Sequence, residues 1–387
     1  MEKFIPLSIP NFEGNEEKYV LDAVHQGWVS TGGAYIVQFE EKLAAFLGVE
    51  KAAACQSGTS ALHLALVACN VKPGDLVIVP TVTFIAAVNP VKYQFAEPVF
   101  MDCDDSLCMN PEKLRSFCEI ECELQEEHLV YKKTGQVVKA VVVVHVFGNL
   151  ADMEQIMEIA GQYHLKVIED ATEALGSHFT DGKYAGKMAG DYGAYSFNGN
   201  KIITTGGGGA ITAKNPSDLD YVKYLSTQAK DDALYYIHNE IGYNYRMTNV
   251  QAAIGVAQLE LLSEFIQRKQ KNYDTYQKCL KKIGLPQLLE FRQGTESNKW
   301  FYSFPIPKEC AVEVRTLIKS LQNEKIQTRP IWGLIHEQKP YQSDIAYEIE
   351  KAEEYSRCII NVPCSTNLTE EEIERVVKVL ADKLDLQ

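Results

Sequence analysis

Short apolar runs alternate with helix-like segments through the middle of this chain, and this alternation constrains the fold more than any other feature. The runs that read as strands cover residues 77–79, 98–101, 140–146, 167–170 and 194–197. Segments with helical spacing lie among them, at residues 61–69, 85–93 and 153–163. Repeated β-α-β units place their strands side by side in one direction. The sequence therefore predicts an α/β fold, with a mixed, mostly parallel sheet flanked by helices.

The pattern changes near residue 248. A long helical stretch covers residues 248–282, and strands are expected to pair within the remainder, at residues 300–305 and 327–331. Thr369 and Glu372 form a capping box before a final amphipathic helix. We expect a large domain over residues 1–247, and a connecting helix with a smaller C-terminal α+β domain over 248–387. The charged insertion at residues 118–136 is expected to form a surface excursion.

Composition excludes several classes of function. The 387 residues include 38 Lys and Arg against 52 Asp and Glu, a formal net charge of −14, which disfavours nucleic acid or an anionic membrane as partner. No apolar stretch approaches the ~20 residues of a membrane span, and no signal peptide is recognisable, so a cytoplasmic protein is expected. The ten cysteines form no Cys-x-x-Cys pair, and the histidines form no His-x-x-x-His pair. We therefore expect no metal site, and buried thiols rather than disulfides.

Two residues in this pattern point to a particular chemistry. Asp170 ends the strand at 167–170, and Lys201 lies between the strand at 194–197 and the glycine run at 206–209. Functional groups in such sheets gather beyond the carboxyl ends of the strands. A lysine that bonds an aldehyde and a carboxylate that keeps a pyridine nitrogen protonated together indicate a pyridoxal phosphate site. Taken singly, Lys201 also fits a surface cation, and Asp170 a helix cap or turn residue.

A phosphate-binding turn is expected near the start of the sheet. Ser57, Gly58 and Thr59 precede an apolar helix, whose amino-terminal N–H groups favour an anion. An ordinary capped helix fits the same residues. The glycines at 182 and 186 are one residue too close for a P-loop. His145, at the end of its apolar run, either faces the site or packs at the strand end.

Several ordered motifs carry a resemblance to a known family. They are Ser30-Thr31-Gly32, residues 57–62, Pro80-Thr81-Val82-Thr83-Phe84, Glu169-Asp170-Ala171 with Gly176, Ser196-Phe197 with Lys201, residues 206–209, and Gly242-Tyr243-Asn244-Tyr245-Arg246-Met247. Over residues 5–385 the chain resembles the DegT/DnrJ/EryC1/StrS nucleotide-sugar aminotransferases. The resemblance implies fold-type I and pyridoxal phosphate as cofactor.

The resemblance also implies roles for particular residues. Lys201 would bond the cofactor and carry the proton, and Asp170 would pair with the pyridine nitrogen. Other cofactor contacts are implied for Ser57, Gly58, Thr59, Phe84, Glu173, Ser196, Asn198 and Asn244. Asn244 would reach the cofactor of a neighbouring subunit, which implies a homodimer with shared active sites. Glu173 and Asn198 stand where many members have Gln and His, which leaves open how Glu173 meets the ring hydroxyl.

The implied reaction moves an amino group from L-glutamate to a keto sugar. The motifs resemble the legionaminic acid branch, which implies the C4 ketone of a UDP-linked 4-keto-6-deoxy-N-acetylhexosamine; an 8-keto octulosonate is the alternative acceptor. Sugar and nucleotide contacts are expected from Thr31, Tyr35, Arg246, Arg329, Trp332 and His336, although an arginine beside a proline also fits a surface ion pair. A dehydratase on this scaffold is disfavoured because its relatives replace the lysine with histidine. A non-catalytic binding protein is the remaining alternative.

Overall fold

The computed structural model describes residues 3–187, 190–310 and 312–384. Its centre is a ten-stranded sheet. The strands of this sheet are β1 Ala53–Cys55, β2 Leu76–Pro80, β3 Glu97–Met101, β4 Cys122–Gln125, β5 His128–Tyr131, β6 Val137–Val144, β7 Lys166–Asp170, β9 Tyr192–Ser196, β10 Gly209–Ala213 and β16 Ile345–Tyr347. They lie side by side in the order β1, β10, β9, β7, β6, β2, β3 and β16, and β5 and β4 branch from β6. The run from β9 to β16 is parallel, whereas β1 and β10 pair antiparallel.

Helices pack against this sheet and form much of the carboxy-terminal region. They are α1 Glu16–His25, α2 Ala34–Leu47, α3 Gly58–Ala68, α4 Asn89–Tyr93, α5 Pro111–Ser116, α6 Met153–Gln162, α7 Pro216–Ser226, α8 Asn249–Ile283, α9 Val314–Asn323, α10 Lys351–Cys358 and α11 Glu370–Leu384. The predicted α/β class with a mixed, mostly parallel sheet is confirmed. Among the described residues, no helix combines the length and apolar character that crossing a bilayer requires.

Smaller sheets complete the fold. Their strands are β8 His178–Phe179, β11 Lys230–Asp232, β12 Ile237–His238, β13 Thr295–Glu296, β14 Tyr302–Pro305, β15 Arg329–Pro330 and β17 Ile359–Val362. The strands predicted at residues 300–305 and 327–331 correspond to β14 and β15, and both pair with β17, which lies between them. The final helix carries the predicted capping box, with Thr369 and Glu372 exchanging hydrogen bonds.

The carboxy-terminal residues share structure with the large sheet. β16 adds in parallel to β3 at the edge of that sheet. One apolar cluster includes Ile78 and Val141 of the sheet together with Leu317 of α9 and Val376 of α11. The division at residues 247 and 248 stays a prediction.

The charged insertion at 118–136 differs from the expected surface excursion. Its residues form the β4–β5 hairpin, whose tip is exposed, while Leu129 and Val130 are buried and pair with β6. The apolar residues of β5 are what bring this strand onto the sheet, since their burial offsets the cost of ordering it. The insertion is therefore an extension of the sheet with a polar tip.

The sheet determines where a ligand is bound. β6 and β7 are parallel neighbours, and Asp170 is the last residue of β7. β9 ends at Ser196 beside it, and α3 begins at Gly58. The carboxyl ends of these strands and the amino end of α3 therefore open onto one cavity.

Candidate active site

One cavity, of about 290 Å³, lies at this edge of the sheet. It brings together residues from several separate parts of the chain. Predicted site residues form most of its wall: Ser57, Gly58, Thr59, Phe84, Asp170, Glu173, Ser196, Asn198, Lys201 and Trp332. The functional groups that the sequence placed at the strand ends thus face a single cavity.

The amino end of α3 forms one wall of the cavity. The Ser57 side chain caps the helix by accepting a hydrogen bond from the Ser60 N–H. The first N–H groups of a helix have no intrahelical partner, so those of Gly58 and Thr59 are open to an anion. A Cβ at residue 58 would lie 2.9 Å from the side chains of both Ser196 and Thr172, so glycine is required here.

Lys201 projects into the cavity from the loop after β9. Its side chain is 12% exposed, and its Nζ lies 4.0 Å from Glu173 Oε1. The same Nζ lies 4.0 Å from the centroid of the Trp300 ring. Burial lowers the pKa of the amine, while Glu173 and Asp170 act in the opposite direction. A neutral amine in this position is able to accept a proton.

Asp170 is buried at the end of β7, where the Thr172 N–H donates to its Oδ1 at 3.0 Å. Burial raises the pKa of this carboxyl group. Hydrogen bonding from Thr172, and the positive charge of Lys201, favour the ionised form. A protonated ring nitrogen against Asp170 would add to that effect.

Glu173 is the second buried carboxyl group of the site. Its Oε1 accepts a hydrogen bond from the Trp332 indole N–H at 3.1 Å, and its Oε2 accepts one from the Phe147 backbone N–H at 2.8 Å. Burial raises its pKa to about 7, against the effects of Lys201 and these donors. The sequence pattern located Glu173 but did not reveal either donor.

His145 packs at the end of its strand, the second of its two predicted alternatives. Its Nδ1 accepts the Ala151 N–H at 3.2 Å, so the proton is on Nε2, which donates to Glu169 Oε2 at 3.1 Å. Glu169 also accepts the backbone N–H groups of Gly186 and Gly190. This polar cluster packs against the segment that carries Asp170.

The remaining predicted substrate and cofactor residues lie outside the wall of this cavity. The Tyr35 hydroxyl donates to Asp22, and His336 Nδ1 lies 2.7 Å from Thr81 Oγ1. Arg246 Nε is buried, with no hydrogen-bond partner among the described residues. The others are the half-buried Thr31 and the exposed Asn244 and Arg329.

The sequence prediction did not include several residues that line the cavity. Thr83, Thr172 and the glycines at 207 and 208 lie within or beside the motifs that carry the family resemblance, so those motifs contain the signal for them. Asn200 also lines the cavity, and Trp300 lies against Lys201. Trp300 comes from a segment 99 residues further along the chain, and nothing in its local pattern indicates this contact.

The donor set fits pyridoxal phosphate. An amine, a buried carboxylate at a strand end and a helix amino terminus face one cavity, and these groups match the aldehyde, ring nitrogen and phosphate of that molecule. The Phe84 ring forms part of the wall and lies 5.2 Å from the ring of Trp332. Within the described residues, no group of three or more His, Cys, Asp or Glu side chains is arranged to hold a metal ion.

Comparison with known proteins agrees with this geometry. The model of the DegT/DnrJ/EryC1/StrS aminotransferase family matches residues 10–381. EpsN of Bacillus subtilis, provisionally named a pyridoxal phosphate-dependent aminotransferase, is 36% identical over 98% of this chain and 96% of its own. GDP-perosamine synthase of Caulobacter vibrioides is 37% identical over 97% of each chain.

A solved structure gives the same result for the fold. A DegT/DnrJ/EryC1/StrS aminotransferase from Brucella abortus superimposes with a TM-score of 0.86 at 27% identity, over 95% of each chain. The predicted family, fold type and enzyme class are confirmed. The chain therefore belongs to the DegT/DnrJ/EryC1/StrS aminotransferase family.

Proposed function

We propose that this enzyme uses pyridoxal phosphate to move an amino group from L-glutamate to the C4 ketone of a nucleoside diphosphate-linked 4-keto-6-deoxy sugar. The observation that carries the proposal is that Lys201 shares a cavity with two buried carboxyl groups, those of Glu173 and Asp170, and with a helix amino terminus. The predicted acceptor is a UDP-linked N-acetylhexosamine. The names of relatives support both nucleotides: GDP-perosamine synthase, and a UDP-4-amino-4,6-dideoxy-N-acetyl-β-L-altrosamine transaminase that is 28% identical.

Each chemical task of this reaction has a residue in the cavity to perform it. The bound cofactor accepts the electron pair of the bond that breaks at the substrate carbon, and it stores the amino group between half-reactions. The N–H groups of Gly58 and Thr59 hold its phosphate, with the Ser57 and Ser196 hydroxyls. Asp170 keeps a proton on its ring nitrogen.

Lys201 moves the proton. Its Nζ removes a proton from the glutamate Cα in one half-reaction and returns a proton to the sugar C4 in the other. The lowered pKa of this amine favours the neutral form that the first step needs. Burial of the site also excludes water from these transfers.

We also propose that two copies of the chain share their active sites. The β11–β12 hairpin and the segment after it present apolar side chains that are largely exposed in one chain: Leu234 at 75%, Tyr235 at 72%, Tyr236 at 74% and Ile241 at 88%. Apolar exposure of this kind is typical of an interface. Asn244 follows on the same segment and is exposed too, as a residue that reaches a partner must be. Light scattering is expected to show a dimer, and a monomer that retains full activity would contradict it.

A half-reaction screen tests the acceptor. The enzyme is loaded with pyridoxamine phosphate, and 4-keto-6-deoxy sugars linked to UDP or GDP are added separately. The expected result is return of the absorbance of the aldehyde form with one nucleotide series. Recovery with an 8-keto octulosonate alone would contradict the proposed substrate, and recovery with no ketone would favour a binding protein. Bleaching of the aldehyde form by L-glutamate tests the donor.

A further inference from the structure

Trp332 makes a contact that the reaction described above does not explain. Its indole N–H donates to Glu173 Oε1, a residue 159 positions earlier in the chain. This oxygen is also the one that lies 4.0 Å from Lys201 Nζ. A side chain from the carboxy-terminal region therefore acts on the charged group nearest to the reactive amine.

The other oxygen of Glu173 also accepts a hydrogen bond. The Phe147 N–H donates to Oε2 at 2.8 Å, from a residue with φ 56° and ψ 20°. A non-glycine residue in this left-handed region costs roughly 1–2 kcal/mol. Glu173 is thus fixed from both sides by donors, which favours its carboxylate form and leaves one oxygen beside Lys201.

The segment that carries Trp332 is itself attached to the large sheet. The Ile335 N–H donates to the Thr81 carbonyl at 3.1 Å, and His336 Nδ1 lies 2.7 Å from the Thr81 hydroxyl oxygen. Thr81 directly follows β2. The Trp332 ring packs near those of Phe84 and Phe147, at 5.2 and 5.7 Å. The indole N–H therefore has a defined position relative to Glu173.

We propose that Trp332 is a positioning residue for the aminotransferase reaction: its indole N–H holds the Glu173 carboxylate beside Lys201, so that the charge on Glu173 controls when Lys201 changes between its charged and neutral forms. The inference rests on the proposed role of Lys201 but on neither the donor nor the sugar. It gives Trp332 a task distinct from stacking on a nucleotide base, because the N–H rather than the ring face carries the effect.

The charged groups around Glu173 and Lys201 determine whether Lys201 loses its proton at a lower or a higher pH when the indole N–H is removed. Asp170 is the other acidic group that faces Lys201, and His145 lies below Asp170 with its Nε2 proton directed to Glu169. Removal of the indole N–H withdraws a donor from the Glu173 anion, so this carboxylate takes up a proton at a higher pH. Lys201 then faces less negative charge and loses its own proton at a lower pH.

Trp332→Phe tests the proposal, because phenylalanine keeps an aromatic ring and lacks the N–H. The full-length chain, freed of cofactor and without substrates, is acetylated briefly at a series of pH values, and the peptide containing Lys201 is quantified by mass spectrometry. The midpoint of the Lys201 reaction is expected to fall by up to about one pH unit, because the lost hydrogen bond to a charged group acts on Glu173 itself and reaches Lys201 only through the Glu173 charge. The pH profile of kcat/KM in the loaded enzyme is expected to move the same way.

Glu173→Gln supplies the second arm, since glutamine has a similar shape but no charge, and its single carbonyl oxygen accepts from only one of the two donors. This variant is expected to lower the Lys201 midpoint further, and to abolish any effect of Trp332→Phe added to it. Trp28→Phe is the matched control, because Trp28 is 58% exposed and outside the cavity. An unchanged midpoint in Trp332→Phe would overturn the proposal, as would an equal shift in the Glu173→Gln background or in Trp28→Phe.

These measurements test the role of Trp332 independently of the donor and sugar named in the proposed function. The acetylation midpoint involves no substrate, so an incorrect sugar or donor leaves it unchanged. If Trp332→Phe does not fold, which thermal unfolding shows, Glu173→Gln still tests the pair, because a normal Lys201 midpoint in that variant contradicts it.

Discussion

Two buried lysines lie against the same tryptophan, yet their amines have opposite surroundings. Lys269 of α8 is 2% exposed, and its Nζ donates to the Trp300 carbonyl at 2.6 Å and to the Cys364 carbonyl. Lys201 Nζ lies over the Trp300 ring and has no hydrogen-bond partner among the described residues. Burial lowers the pKa of both amines. A lowered pKa alone therefore does not identify the reactive lysine.

What distinguishes the two lysines is whether the hydrogen-bonding capacity of the amine is used. Backbone carbonyls accept from Lys269, as expected for a buried cation without a carboxylate partner. Lys201 instead faces a cavity of about 290 Å³ with two carboxyl groups in its wall. The first arrangement holds the fold together, and the second leaves the amine free for a ligand. The following predictions test this difference.

Lys201→Ala is expected to give the largest effect on activity. Turnover is expected to fall by about 10³-fold or more, because the group that we propose carries the proton is removed. The free energy of unfolding is expected to change by only about 1 kcal/mol, since the substitution mainly removes the packing of the amine on the Trp300 ring. Steady-state kinetics and thermal unfolding measure the two quantities. A large loss of stability in this variant would remove the distinction between the two lysines.

Glu173→Gln is expected to change how stability depends on pH. The cofactor-free folded chain retains the Glu173 proton up to a pKa of about 7, whereas the unfolded chain releases it near the ordinary value of 4.5. The folded state therefore binds more protons between these values, and the free energy of unfolding falls as pH rises through this window, by roughly 3 kcal/mol. Urea unfolding of parent and variant across the window measures the difference. Identical slopes for both proteins would contradict the prediction.

Lys269→Met is expected to lower stability and leave activity nearly unchanged, the reverse of the Lys201→Ala result. Its effect on stability is smaller than the effect of Lys201→Ala on activity. Methionine fills a similar space but leaves the Trp300 and Cys364 carbonyls without their donor, at a cost of about 1–3 kcal/mol in the free energy of unfolding. Activity per folded molecule stays within a few-fold of the parent, since the Lys201 side of the site is intact. Denaturant unfolding and kinetics of the folded fraction check both parts. Loss of turnover without loss of stability would place Lys269 in the reaction.

Local sequence patterns were sufficient for the five strands β2, β3, β6, β7 and β9 and for the residues at their ends. The apolar runs at 140–146 and 167–170 are continuous because β6 and β7 are buried, and Asp170 follows from the end of one of them. Lys201 and the glycine run follow β9 in the same way. These features depend on neighbours within a few residues, so the sequence expresses them directly.

Long-range contacts were not predictable in this way. The pattern placed β14 and β15 in the carboxy-terminal region, but it indicated neither that β17 lies between them nor that β16 adds to the large sheet. The choice depends on which distant strands share a buried face, and propensity does not specify that. The β4–β5 hairpin joined the sheet for the same reason.

The sequence by itself determined the α/β class, the family, and the amine and carboxylate at the carboxyl ends of two strands. Only the tertiary structure decided which buried lysine has its hydrogen bonds satisfied, and that Trp332 reaches Glu173 across 159 residues. The physical reason is that composition and spacing report a residue's chemical type and its local conformation. Burial, partner and charge arise only when distant segments pack together, and these decide what Lys201 is able to do.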